Sequence, residues 1–155
     1  MCALIILSIM KNNLFEILIG SWTLVELIEV PLGDGKITNP MGTKPKGIII
    51  YNSDGYMSAQ IMNTDFEHSD TKDSPPYLAY SGPFKTDDEK QIVSHTMSVS
   101  LFENWRNETQ NRKVLFKDGL LHLETEKPFI SNSRWVIHKL TWKRIEILEK
   151  LWRIF

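Results

Sequence analysis

Between Trp22 and Arg144 the chain keeps breaking into short runs of strand-forming residues joined by turns, and no long segment holds a helical period. The clearest unit is KGIIIY and YMSAQIM on either side of NSDG, an Asp-Gly turn between two apolar-rich runs and a strong hairpin signal. KVLF and LLHLETE around Lys117-Asp118-Gly119 repeat it, and YLAYSGPFK meets KQIVSHTMSVSL across the charged turn TDDE. With SWTLVELIEV ahead and SRWVIHKLTWKRI behind, about eight strands are expected, near 21–31, 46–51, 55–62, 77–86, 90–101, 109–117, 119–126 and 133–145. Short links make this an antiparallel meander. Its two open edges are removed entirely only by closure into an up-and-down barrel, so the expected class is all-β.

A chain of 155 residues, 42% apolar and 24% charged, suits one domain with a core of its own. Eighteen basic residues against nineteen acidic ones give a net charge of -1, and no basic stripe with interleaved aromatics offers a track for phosphates. Nucleic acid is therefore not an expected partner. Cys2 is the single cysteine, which excludes an intrachain disulfide and a cysteine-rich metal site and suits a reducing, cytoplasmic setting.

The opening MCALIILSIM falls short of the roughly 20 apolar residues a membrane span needs, and it has neither a basic leader nor a small-x-small cleavage site. Met10 begins MKNNLFEILIGSW, a natural start, so residues 1–13 are read as a dispensable extension, with a weak export signal or anchor as the alternative, and 14–155 as the barrel domain. LFEILIG is expected as a short helical turn into the first strand. IEILEKLWRIF reads as a short helix or a continuation of the last strand, with Ile147, Leu148, Leu151 and Trp152 as its apolar stripe. NTDFEHSDTKDSPP is the expected mobile loop at the barrel mouth.

Gly20-Ser21-Trp22 at the head of this pattern, with the basic pair Lys143-Arg144 near its end, resembles the Gly-x-Trp arrangement of lipocalins and the wider calycin group. The resemblance is closer to the intracellular and bacterial lipocalin-like domain family, carried by GSWTLVE, KGIIIYNSDGYMSAQIM, YLAYSGPF and HTMSVSLFENW over most of residues 14–144. It implies an eight-stranded barrel whose narrow end is plugged by Trp22. It also implies a basic side chain across the Trp22 ring, with Arg144 the first candidate and Lys143 the second, a contact worth roughly 0.5–2 kcal/mol. No common reaction comes with the family, so the resemblance implies a container and leaves its contents open.

Alternation along the strands nominates the lumen residues. His95 shares parity with Val93, Met97, Val99 and Leu101; its default role is a hydrogen-bonded core histidine, its functional one ligand contact or acid–base chemistry. His138 shares parity with Val136, Leu140 and Trp142, but neither His-x-His nor His-Glu-x-x-His spacing accompanies it, so no metal is expected. His68 and His122 read as solvated or edge residues. Gln60 and Tyr80 are candidates to orient a ligand, with outward-facing positions the alternative. Trp105 either caps the barrel or packs under a loop. Arg112 pairs with an acidic ligand group or with Glu26, a surface ion pair being the default. Glu26, if it points inward with Trp22, is the carboxylate of the first strand that reaches the lumen and a candidate proton acceptor. No nucleophile elbow, phosphate loop or dinucleotide fingerprint is present, and no cofactor is called for.

The reading is a small-molecule binding protein, a monomer or weak homodimer, holding a mostly apolar or amphipathic ligand among Gln60, Tyr80, His95, Met97, Arg112 and His138. The alternatives are an acid–base enzyme of isomerase, cyclase or hydratase type using His95 or Glu26, and a closed barrel filled by its own side chains whose C-terminal tail docks a partner.

Overall fold

The computed structural model describes residues 13–65 and 77–146. His68, most of the expected mouth loop, the N-terminal extension up to residue 12 and the stripe of Ile147 to Trp152 lie outside them. Among the described residues, a five-residue helix α1 (Leu14–Leu18) precedes ten strands: β1 (Gly20–Pro31), β2 (Lys46–Tyr51), β3 (Tyr56–Met62), β4 (Tyr77–Asp87), β5 (Ile92–Thr96), β6 (Val99–Ser100), β7 (Thr109–Lys117), β8 (Leu120–Thr125), β9 (Phe129–Ser131) and β10 (Arg134–Arg144). Each of β1, β2, β3, β4, β5, β7, β8 and β10 pairs antiparallel with the next, and β10 pairs back onto β1, closing the expected eight-stave barrel. Among the described residues, no helix is long and apolar enough to cross a membrane.

Two short strands depart from the expected set. The run 90–101 splits into β5 and β6, which pair with different stretches of β4. The split falls opposite Gly82, where a Cβ would collide with the Thr96 carbonyl, so the missing side chain lets the broken strand press against β4. Val93, His95 and Met97 stay buried before the break, whereas Val99 and Leu101 after it are 67% and 58% exposed, against the uniform parity expected for that run. The second addition, β9, forms a hairpin with β10 through Asn132 and Ser133, both at positive φ.

The narrow end is closed as expected. Trp22 is fully buried, and its indole Nε1 donates to the Leu18 carbonyl at 2.9 Å, tying β1 to the end of α1. Leu14 and Leu18 face the core, and Phe15 stacks on Phe84 with centroids 5.2 Å apart. The Asn13 side chain caps α1 by accepting from the Glu16 amide, and Asp88 accepts from Leu14 N at 2.7 Å. The Arg144 guanidinium lies 4.0 Å from the Trp22 ring centroid and donates to the Ile19 and Ile17 carbonyls at 2.7 and 2.6 Å. One cation thus covers the indole face and satisfies carbonyls at the end of α1. Gly20 stands where it must: its φ is +127°, and a Cβ there would sit 2.6 Å from Arg144 Nη1.

Candidate ligand-binding site

Above the plug the barrel holds a cavity of about 510 Å³, within the size range of small-molecule sites. This space separates the protein from a barrel filled by its own side chains. Leu27, Ile49, Ala59, Ile61, Leu123 and Leu140 supply aliphatic wall, and Trp105, Phe129 and Trp142 supply rings. Trp105 meets Tyr80 edge-on at 6.2 Å and packs on Phe102 at 4.7 Å, so it lines the cavity while packing beneath its own loop.

Tyr80, His95, Arg112 and His138 all line the cavity, so four of the sequence-nominated residues come together. Met97 is fully buried in the core beside them rather than at the cavity surface. Gln60 faces solvent: β3 turns Met57, Ala59 and Ile61 inward and leaves Gln60 on the outer surface. Glu26 also lies outside. A β-bulge between Leu24 and Glu26 inserts one residue into the alternation, so Val25 and Glu26 both face out and the inward set resumes at Leu27 and Glu29. His122 faces outward as well, 3.3 Å from Thr141 Oγ1.

Past the bulge, Glu29 rather than Glu26 is the buried carboxylate of β1. Glu29 is 2% exposed, with Oε2 3.2 Å from His138 Nε2 and Oε1 3.5 Å from Arg134. Burial pushes the Glu29 pKa up, but hydrogen bonds from Ser131 and His138, the His138 charge and the Thr38 hydroxyl outweigh it and leave it below the usual value. Burial dominates at His138 and lowers its pKa despite Glu29, with Arg112 pushing the same way. The contact is therefore a neutral imidazole donating to a carboxylate at neutral pH, and the ionic partner of Glu29 is Arg134. Phe129 meets His138 edge-on at 4.7 Å.

Deeper in the barrel, His95 is clamped between two tyrosines. Tyr51 Oη lies 2.8 Å from its Nε2 and Tyr80 Oη 3.1 Å from its Nδ1. Burial, helped by the charge of Arg112, lowers the His95 pKa to about 3. With both nitrogens engaged and so weak a basicity, His95 is not suited to take a proton from a substrate near neutral pH. Arg112 donates to the Gln110 side chain and the Asn111 carbonyl rather than to Glu26. Its positive charge is felt at Tyr51, Tyr80, His95 and His138 alike. Sequence reasoning missed Tyr51, Glu29 and the role of Trp142. Trp142 is 1% exposed and lines the cavity, yet its Nε1 has no hydrogen-bond partner among the described residues.

With this plug, barrel and cavity, a sequence model of the lipocalin-like domain matches residues 19–145. The chain belongs to the lipocalin-like domain family. It is also similar to a 4'-hydroxy-3'-methoxypropiophenone carrier protein of Aspergillus oryzae, 33% identical over 75 residues that cover 44% of this chain and 68% of that protein. As a member of this family, the protein has the means to enclose a small apolar molecule. Its Gly20, Trp22 and Arg144 form the closed end, while the residues around Tyr80 and Trp142 form the lumen.

Proposed function

We propose that this lipocalin-like protein is a carrier for a small, largely apolar aromatic molecule held in the barrel lumen. The observation that carries the reading is the 510 Å³ cavity, apolar along most of its wall and flanked by Trp105, Phe129 and Trp142 rings. Affinity comes chiefly from apolar ligand area removed from water, at roughly 25 cal/mol per Å². Orientation comes from the few polar groups at Tyr80, Arg112 and His138. The name of the A. oryzae relative, a carrier of a methoxylated propiophenone, supports an aromatic ketone as the first compound to try.

Two tryptophans in the wall give an intrinsic reporter. Titration with 4'-hydroxy-3'-methoxypropiophenone, the compound in the relative's name, is expected to change tryptophan emission saturably at one ligand per chain. Native mass spectrometry of protein purified from its own host is expected to show a retained small molecule. Bare chain mass, together with no response to this ketone or to an apolar dye, would end the carrier reading.

A further inference from the structure

Tyr51, His95 and Tyr80 make a chain of hydrogen bonds whose direction follows from burial. His95 is fully buried and carries a single ring proton near neutral pH, so one nitrogen donates and the other accepts. If Nε2 donated to Tyr51, the Tyr51 hydroxyl proton would need another acceptor. Tyr51 is 1% exposed, and His95 is its hydrogen-bond partner among the described residues. A buried donor left unmade is costly. The reverse order leaves no such donor on Tyr51 or His95: the Tyr51 O–H donates to Nε2, and Nδ1–H donates to Tyr80 Oη. The remaining proton is that of the Tyr80 hydroxyl; Tyr80 and His95 both line the cavity, and both His95 ring nitrogens are already engaged within the chain.

We infer that the Tyr51–His95–Tyr80 chain fixes Tyr80 as a one-way hydrogen-bond donor to an acceptor oxygen on the ligand, with an aryl ketone carbonyl as the matching group. The inference rests on the carrier reading and specifies its ligand class. A second, independent observation points the same way: the Trp142 indole N–H, on the same cavity wall, is a buried donor with no acceptor among the described residues. Two donors wanting acceptors select a ligand by its oxygen as well as by its shape. Burial raises the Tyr80 pKa, so the phenol keeps its proton across the physiological range. Donation in series also polarises each following O–H or N–H, which makes Tyr80 a stronger donor than an isolated phenol.

The test compares propiophenone with propylbenzene, which has nearly the same shape and no acceptor, by competition against an apolar fluorescent dye. The unmutated protein is expected to bind the ketone roughly three- to tenfold tighter, the net effect of one hydrogen bond, and Tyr80→Phe to lose that preference. The infrared carbonyl stretch of bound, isotope-labelled propiophenone is expected at lower frequency in the unmutated protein than in Tyr80→Phe. Nitrogen NMR of the unmutated protein, which needs no variant to fold, is expected to show His95 protonated at Nδ1 and bare at Nε2. Equal affinities, a preference that survives Tyr80→Phe, or a proton on Nε2 would each overturn the inference while the carrier reading stands. Binding of neither probe would bring down both.

Discussion

Trp22 and Trp142 lie on neighbouring strands of one barrel, both buried, at 0% and 1% exposure, but their indole N–H groups differ in their surroundings. Trp22 donates to the Leu18 carbonyl and has Arg144 over its face. Trp142 has no acceptor among the described residues and borders the cavity. The closed end satisfies its polar groups internally: helix carbonyls, indole and guanidinium answer one another. The lumen end keeps donors in reserve. A buried donor without a partner costs about 1–3 kcal/mol, so the contrast separates a region built for stability from one built to be completed by something else.

Removing the plug tests the stable side most severely. Trp22→Ala deletes a fully buried ring, its bond to Leu18 and the surface under Arg144, and is expected to cost about 3–5 kcal/mol in denaturant unfolding. A much smaller loss would mean that α1 and Arg144 hold the narrow end closed without the indole.

Acid strikes the lumen side. The unfolded His95 imidazole takes up its proton near 6.5, the folded one only near 3, so between those values the unfolded chain binds more protons and stability falls as pH falls. At about 1.4 kcal/mol per pH unit, the shift removes about 2 kcal/mol between pH 7 and pH 5, with the full effect complete only below the folded value. Urea unfolding at the two pH values is expected to show this loss, and His95→Gln to remove most of it. A remainder belongs to His138, whose pKa burial also lowers. An unchanged slope in His95→Gln would mean that His95 is not held neutral by burial.

The closed end was legible in the sequence because its parts are fixed in type and order: a glycine that Arg144 crosses, a tryptophan two residues later, and a base at the end of the last strand. The histidines His95 on β5 and His138 on β10 were legible through alternation because those strands run unbroken, whereas Tyr80 was nominated only as a polar contact with an outward position left open. Alternation fails wherever one residue is inserted. The bulge at Val25 turned Glu26 outward and brought Glu29 in, and the break after Met97 exposed Val99. Gln60 shows a different limit, since a polar side chain suited to a ligand is equally suited to water, and the apolar set Met57, Ala59 and Ile61 decided the face. Tyr51 ends the run KGIIIY, whose three consecutive isoleucines hide which parity is inward. Its partnership with His95 is a contact across 44 positions of chain that no local pattern records.

The smallest expected effect discriminates best between the two tryptophans. Trp22→Phe keeps an aromatic ring but loses the bond to Leu18 and part of the cation contact, and is expected to cost about 1–3 kcal/mol. Trp142→Phe removes an N–H that has no acceptor among the described residues, so the lost ring volume is offset by relief of an unmade donor. Its cost is expected to stay below about 1 kcal/mol in denaturant unfolding without ligand. Added propiophenone should then raise the unfolding midpoint of the unmutated protein more than that of Trp142→Phe, because the variant has lost a donor to the carbonyl. If Trp142→Phe instead costs as much as Trp22→Phe, the Trp142 N–H has a partner of its own within the protein, and the contrast between the two ends disappears.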